Sequence, residues 1–555
     1  MVFPPFIRKI VKPLLISLIL LPVGLHTFLL VNYTINIPFF DDFQWAYTFL
    51  DKYHQQQDWT GKLRQLFSQH NEHRIVVTRV VILSLLNLED ELNFRHFTLI
   101  GNLFVAGVFA CYFIYLTLEK ISMTWLTFVA FMWYQLQYFQ NVIAGYSVPN
   151  NSVIFFTFLS LTGTYLILRK YNKWVYILTI ISVTFAVFSN GNGIIVPAII
   201  GVLFALNWQW KRAIHFGLVF IIATSAYFWG LQLSSGRASF NSQTFIFFID
   251  FLSVSIFPAS LAKSRIFGGL LILVTFILSA KRLKSVLEQP LVASVIFLLG
   301  TLSFLIGTAA VTSVMRASYN LPLAPWYKGY SLLFVISSFL LIYSELRNQT
   351  QRYLFYCFAL LFSLMNFYQG IIHNISNLDA FHQTLKADRI NYALNKTWAF
   401  IPIQVNNDFK YFNRLTSEHI KNGTYPEPIV PGSLQSPTFA NTILIKNGTS
   451  FDPTSNTYTV SHDFKEKLGT NTFGFIRNEK SGLIIYYGFY RPLGKKTGML
   501  KAGTIFSNKL SFGVNQKFSK TVAKPGTYQT GFVSFNESEE AKWFVCDQEL
   551  QLENL

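Results

Sequence analysis

Phe39-Phe40-Asp41-Asp42-Phe43-Gln44-Trp45 comes shortly after the first long apolar run of the chain, residues 14–31. Roughly 20 apolar residues cross the hydrocarbon core of a bilayer, so that run reads as a membrane helix. Two adjacent carboxylates then stand where the chain leaves the membrane, with aromatic residues on both sides, and aromatics favour that interface. A like-charged pair there is costly unless a cation, a proton or a substrate hydroxyl partners it. The local alternative is a capping box, in which Asp41 and Gln44 start an interfacial helix running through Tyr47 and Leu50. What lies on either side of the stretch separates a cap from a reactive pair.

The 555 residues are 52% hydrophobic, 17% aromatic and 13% charged. A soluble chain carries roughly twice that charged fraction, so this is a polytopic membrane protein. The net charge of +18 lies largely in short loops between apolar runs, where it sets topology, and in a polar tail; it does not imply nucleic acid. Cys111, Cys357 and Cys546 give neither a disulfide framework nor metal spacing. Arg8, Lys9 and Lys12 precede the first run, which is longer than the apolar core of a signal peptide, so the N-terminus is expected in the cytoplasm.

The predicted fold class is an all-α polytopic membrane domain with a small β-rich extracytoplasmic domain at its C-terminus. Eleven spans are expected: 14–31, 97–118, 122–139, 152–168, 174–188, 193–208, 213–233, 266–280, 291–311, 329–343 and 353–372. Lys120, Arg169-Lys170, Lys211-Arg212, Lys281-Arg282, Arg347 and Arg352 mark the cytoplasmic turns. Residues 244–262 do not fit the alternation of sides and read as an outer-surface or re-entrant segment. The first external loop, 33–95, holds amphipathic pieces that read as juxtamembrane helices. The domain boundary is placed at 372/373. Beyond it, Asn-Gly, Pro-Gly and Gly-Thr turn signals separate short alternating runs such as 483–490 and 531–535, a strand pattern.

The second conspicuous stretch is Gln69-His70-Asn71-Glu72-His73-Arg74, in the same external loop. An acid, two histidines and a base lie beside the membrane, without the i,i+4 histidine pair of a zinc protease helix. The aromatic-flanked Asp-Asp after the first helix, followed by this Glu-His-Arg stretch, resembles bacterial members of the GT-C superfamily of polytopic glycosyltransferases. These use polyprenyl-phosphate sugars. Ser189-Asn190-Gly191-Asn192-Gly193, the stretch from Arg316 to Tyr319 and the stretch from Trp326 to Tyr330 also resemble external turns of that family. The resemblance covers roughly residues 1–372 and leaves out the tail. A second acid common in the second external loop is missing here, because 140–151 contains no Asp or Glu. Glu72 stands as its substitute.

The resemblance implies Asp41, Asp42 and Glu72 as catalytic residues. Asp42 is the favoured base, because Asp41 has the better capping spacing to Gln44, and a divalent cation, Mg2+ or Mn2+, is expected at Asp41, since such ions take one or two carboxylates. The chemistry fits these residue types. A carboxylate can take the proton of an attacking sugar hydroxyl, and fixed cations hold the charge that grows on a departing phosphate. Arg316 is the favoured phosphate clamp, then Arg265 and Arg74, with Lys328, Lys263 and Arg237 also external; Arg suits bidentate phosphate binding. His73 joins the binding set, and Tyr146 and Trp326 could stack on a sugar ring. The expected partners are the bilayer, a polyprenyl-phosphate-linked sugar donor and a glycan, lipid or protein acceptor. The expected place is the bacterial inner (plasma) membrane, with the site and tail facing the periplasm or exterior. The rival is a transporter or flippase for a sugar or lipid-linked glycan. That class needs paired ionisable groups within the spans and matched broken helices, whereas the acids here concentrate in loops.

Overall fold

The computed structural model describes residues 5–145, 147–232, 240–286, 289–290, 293–316, 324–400 and 409–430, and then 434, 441–443, 446–452, 457–463, 468–469, 472–488, 509–510, 514–519, 523–524, 526–535 and 541–552. It is mostly helical. In chain order the helices are α1 (Pro5–Tyr33), α2 (Phe49–His54), α3 (Trp59–Leu66), α4 (Val76–Glu89), α5 (Phe94–Leu118), α6 (Thr124–Trp133), α7 (Gln140–Ile143), α8 (Ser147–Arg169) and α9 (Lys173–Val187). They continue with α10 (Ile195–Ala205), α11 (Trp210–Phe228), α12 (Ser242–Ser253), α13 (Leu261–Ser285), α14 (Ala293–Arg316), α15 (Lys328–Glu345), α16 (Gln349–Asn395) and α17 (Phe409–Lys421).

Seven helices among the described residues are long and apolar enough to cross a membrane: Pro13–Tyr33, Phe94–Leu118, Ser147–Arg169, Leu261–Ser285, Ala293–Arg316, Pro325–Glu345 and Gln349–Asn395. The chain therefore has the character of an integral multi-pass membrane protein, with seven such helices against the eleven expected. The other four expected runs form helices of 10, 15, 11 and 19 residues, α6, α9, α10 and α11. At 1.5 Å per residue the first three are too short to span alone. The run at 122–139 breaks because polar Gln135 and Gln137 follow α6, and a 3-10 turn, Leu136–Tyr138, takes its place. The expected re-entrant segment begins as α12, whose start carries a capping box between Asn241 and Thr244.

The chain packs as two compact units. One comprises Met1–Asn32, Tyr53–Val81 and Phe97–Ile371; the other comprises Tyr33–Lys52, Ile82–His96 and Ile372–Leu555. The expected boundary at 372/373 thus falls inside α16, a single helix of 47 residues. The first external loop is also divided, because two of its segments pack with the C-terminal region.

The first unit is a helical bundle in which α8 packs against α9 and α14, α10 against α11, and α12 against α13, α14 and α15. Its broken backbone is satisfied internally, as a membrane domain requires. Gln135 and Gln137 both donate to the Asn366 side-chain oxygen, at 2.7 and 3.0 Å, while Asn366 donates to the carbonyls of Ser255 and Ile256 at 2.6 and 2.8 Å. These bonds tie the interrupted end of α6 to the bend after α12.

The second unit contains a five-stranded sheet in the order β1-β10-β9-β5-β6. Its strands are β1 (Asn441–Ile443), β5 (Thr472–Asn478), β6 (Ile484–Gly488), β9 (Gly526–Phe535) and β10 (Ala541–Leu552). Three further strands, β2 (Lys446–Asp452), β3 (Thr457–Asp463) and β8 (Val514–Ser519), pair separately, as do β4 (Leu468–Gly469) and β7 (Lys509–Leu510). The strand patterns at 483–490 and 531–535 contain β6 and the end of β9, with 489–490 outside the described residues. The core of this sheet gathers Phe475, Tyr486, Tyr487, Phe532, Val533 and Trp543. The last turns of α16 cover its edge. Asn391 exchanges hydrogen bonds with the backbone of Tyr486, at 2.7 and 2.8 Å, and Asn395 donates to the Ile484 carbonyl at 2.7 Å. Edge strand β6 is thereby paired with side chains rather than left open.

Candidate functional site

The carboxylate pair belongs to the second unit. Phe39 to Asp42 form a tight turn in which the Asp42 backbone N–H donates to the Phe39 carbonyl at 3.1 Å. The Phe39 N–H donates back to Asp42 Oδ2 at 2.8 Å. Phe40 is left-handed, with φ 55°, a conformation disfavoured for a bulky side chain and held here by the two bonds that close the turn. The next residues, Phe43–Thr48, wind as a π-helix, a rare element frequent at functional sites. Its start is Asp42, which makes no side-chain cap, so the capping box expected at Asp41 and Gln44 does not form. Asp41 instead offers its backbone carbonyl to the N–H groups of Gln44 and Trp45, at 2.9 and 3.0 Å.

The two carboxylates differ in access. Asp42 is 0% exposed, and its Oδ1 is buried without a hydrogen-bond partner. Burial pushes its carboxyl well above the ordinary carboxylate range, against the pull of the Phe39 N–H and with a further push from Asp41. Asp41 is only partly buried, and burial raises its carboxyl to about 6. Around the turn the unit is aromatic: Phe43 packs edge-on to Trp398 and Phe412, and Tyr47 stacks on His419 at 4.4 Å. The Tyr47 hydroxyl is also buried without a hydrogen-bond partner.

The Glu-His-Arg stretch belongs to the first unit. His70 and His73 exchange backbone hydrogen bonds of 2.8 Å, which makes Asn71-Glu72 the tip of a tight two-residue turn. Asn71, with φ 48°, takes the left-handed position, a role asparagine tolerates. Gln69 anchors the turn by pairing with the backbone of Gln232, at 2.6 and 2.8 Å. From the tip, Glu72 Oε2 meets Arg316 Nη2 at 3.3 Å. His73 lies beneath. Burial lowers its imidazole to about 4, and its Nδ1 is buried without a hydrogen-bond partner. The Nδ1 presses on Gly191: a Cβ there would stand 2.7 Å from it. At Gly193 a Cβ would fall 1.8 Å from the Ala186 carbonyl oxygen, so the turn after α9 needs glycine for close backbone approach.

Asparagine side chains continue outward from that turn. Asn190 reaches Asn150 at 3.5 Å, Asn150 donates to Asn141 at 3.2 Å, and Asn141 donates to the Trp326 carbonyl at 3.1 Å. Asn192 donates to the Tyr330 and Thr308 hydroxyl oxygens at 3.0 and 3.3 Å. The Glu72 turn, the α7–α8 connection, the turn after α9, the end of α14 and the start of α15 thus meet through polar side chains.

The structure sorts the expected cations. Arg74 is buried; its guanidinium donates to the carbonyls of Phe67, Tyr227 and Trp229, and its own N–H donates to the Tyr227 hydroxyl at 3.2 Å. Arg79 likewise donates to the carbonyls of Gln65, Leu66 and Ser68, so the two arginines satisfy the C-terminal end of α3. Arg74 therefore ties the loop with the guanidinium expected to meet phosphate. Arg265 pairs bidentately with Asp250, at 2.7 and 2.8 Å, which commits the planar face expected for phosphate. Lys328 opens α15 and is partly buried. Tyr146, Arg237 and the residues after Arg316 up to 323 lie outside the described residues.

The divalent cation expected at Asp41 finds few donors. Among the described residues no group of three or more His, Cys, Asp or Glu could hold a metal. Enclosure of Asp42 leaves one reachable carboxylate in the turn. Sequence reasoning missed Asn141, Asn150 and Tyr47; for the asparagines the only signal was the polar turn around Asn190 and Asn192. No family model, curated protein or solved structure matches the chain.

Proposed function

We propose that the protein is an integral-membrane glycosyltransferase that moves a sugar from a polyprenyl-phosphate donor to an extracytoplasmic acceptor, with Asp41 as general base. The observation that carries this reading is the Asp41 carboxyl. It is reachable, has no hydrogen bond or ion pair among the described residues, and is raised to about 6 by burial. A base serves best when its pKa lies near the working pH. Asp41 takes the proton of the acceptor hydroxyl as its oxygen attacks the anomeric carbon. The bond from that carbon to the phosphate oxygen breaks, and the phosphate leaves with the electron pair. Arg316, whose guanidinium is partly exposed and meets the partly exposed Glu72 carboxylate, is assigned to the phosphate. Asp42, enclosed and pushed toward its neutral form, holds the turn from which Asp41 projects.

The Lys and Arg residues in the turns expected to be cytoplasmic support an orientation with Asp41 facing outward, and the resemblance to bacterial GT-C enzymes supports a bacterial plasma membrane. The test is mass analysis of lipid-linked sugars and surface glycans in cells carrying wild-type protein, Asp41→Asn or Asp42→Asn. Loss of the glycosylated product with Asp41→Asn and its retention with Asp42→Asn is expected. Full product with Asp41→Asn would remove the base and the reading with it. Movement of an unchanged lipid-linked sugar across the membrane, with no new glycosidic bond, would favour the flippase.

A further inference from the structure

The tip of the His70–His73 turn presents one carboxylate to one guanidinium, Glu72 to Arg316 at 3.3 Å. Both side chains are partly open, 22% and 38% exposed, so the pair is reachable from solvent. Beneath it lies a group that has no place in a surface salt bridge. His73 Nδ1 is buried without a hydrogen-bond partner, and its nearest charges are Glu72 and Arg316. A buried polar atom without a partner costs stability and calls for an explanation. The His73 ring lies against Gly191, whose neighbours Asn190 and Asn192 carry amides toward Asn150 and toward Tyr330 in α15. Amides and a neutral imidazole suit a hydroxyl-bearing ligand. A guanidinium suits a phosphoryl group.

We propose that Glu72 is an internal stand-in for the phosphoryl group of the ligand: its carboxylate occupies Arg316 and is displaced when a phosphomonoester or phosphodiester binds at this end of the helical unit. This rests on the glycosyl-transfer reading for the identity of the ligand, but not for the exchange itself. A carboxylate and a phosphoryl oxygen present the same acceptor geometry to guanidinium, so the two compete for one fork. The turn makes the exchange feasible. Glu72 sits at a two-residue tip closed by its own backbone bonds, so its side chain can swing away while His70 and His73 stay paired. When it leaves, the ligand gains the cation and Glu72 is solvated.

The competition fixes the sign of each substitution. Glu72→Gln keeps the shape and removes the competing charge, so it should tighten phosphate binding. Arg316→Gln should abolish binding, and adding Glu72→Gln to it should bring no recovery, since the two residues then act as one unit. A purely structural salt bridge predicts the reverse for Glu72, because a loosened Arg316 would bind more weakly.

The experiment measures equilibrium binding to the purified full-length protein in lipid nanodiscs. The probes are a short-chain isoprenyl monophosphate, inorganic phosphate and the neutral isoprenyl alcohol. The expected result is a gain of about fivefold or more for the isoprenyl phosphate with Glu72→Gln. Glu72→Ser should show a similar gain, which guards against a peculiarity of the amide. The alcohol should be indifferent to both variants. A gain shared equally by inorganic phosphate would assign the site to free phosphate rather than a lipid headgroup, with the exchange intact. Unchanged or weaker binding in both Glu72 variants overturns the proposal, as does failure of the wild-type protein to bind either phosphate probe. If the exchange holds while Asp41→Asn leaves glycan transfer unchanged, the glycosyl-transfer reading fails and the anion site stands.

Discussion

Two acidic turns, one in each unit, are built alike and end in opposite electrostatic states. In both, a non-glycine residue takes the left-handed conformation, Phe40 at φ 55° and Asn71 at φ 48°, and backbone hydrogen bonds close a tight loop beside an acid. At the first turn burial acts on Asp41, which pairs with no cation among the described residues, and its carboxyl rises to about 6. At the second, Glu72 faces the Arg316 guanidinium. Turn geometry therefore presents a carboxylate without deciding its chemistry. The surroundings decide whether it is a proton acceptor or an ionic partner.

The largest effect that bears on this contrast is expected at Asp41. Asp41→Asn should cut single-turnover sugar transfer about a hundredfold, the lower end of general-base contributions. Asp42→Asn should retain most of the rate, because the amide oxygen still accepts from the Phe39 N–H. Asp42→Leu, which cannot accept, should lose it. Equal losses in Asp41→Asn and Asp42→Asn would dissolve the distinction between the two carboxylates.

Proton linkage sharpens the same contrast. The Asp41 carboxyl is raised from 3.8 to about 6, so the folded state binds this proton more tightly than the unfolded chain. Its stabilising contribution is complete below about pH 4 and disappears as pH rises through about 6. Asp41→Asn should therefore stabilise the protein at pH 7.5 by up to about 3 kcal/mol, and by nothing below pH 4. Thermal melts at both pH values check this. In the same range, transfer by wild-type protein should climb with pH through about 6, a limb absent from the residual activity of Asp41→Asn.

On the other turn, Arg74→Lys should cost about 2 kcal/mol of stability, since an ammonium cannot span three carbonyls in the fork geometry of guanidinium. Urea titration, followed with a probe near Gln232, would register it. The smallest effect is expected at Arg265. Its ion pair with Asp250 is partly exposed, so Arg265→Gln should change stability by about 0.5 kcal/mol and donor affinity by less than about twofold. A larger loss of affinity would return Arg265 to the set of phosphate ligands.

The reading from sequence was strongest where a physical quantity is summed along the chain. Apolar runs announced the helical membrane character, and alternation at 483–490 and 531–535 announced strands of the C-terminal sheet. It was weaker where helices are short. The run at 122–139 breaks at Gln135, and those at 174–188 and 193–208 form helices that are apolar but short, ending at Val187 and Ala205. It favours Asp42 over Asp41 as base on the capping spacing of Asp41 to Gln44, and adjacency in sequence does not reveal which of two neighbours is enclosed.

The sequence by itself determined that the chain is rich in membrane helices, that two acidic stretches stand beside the first, and that a polar, strand-bearing tail follows. These follow from composition and local periodicity, which act residue by residue. Only the tertiary structure decided that Arg74 and Arg265 are committed to carbonyls and to Asp250, that His73 lies against Gly191, and that the two acidic stretches fall in different compact units. Each of these depends on partners far apart in the chain, such as Tyr227 for Arg74 and Arg316 for Glu72. The charge state of a carboxylate is set by its desolvation and its neighbours in space, and no local pattern encodes either.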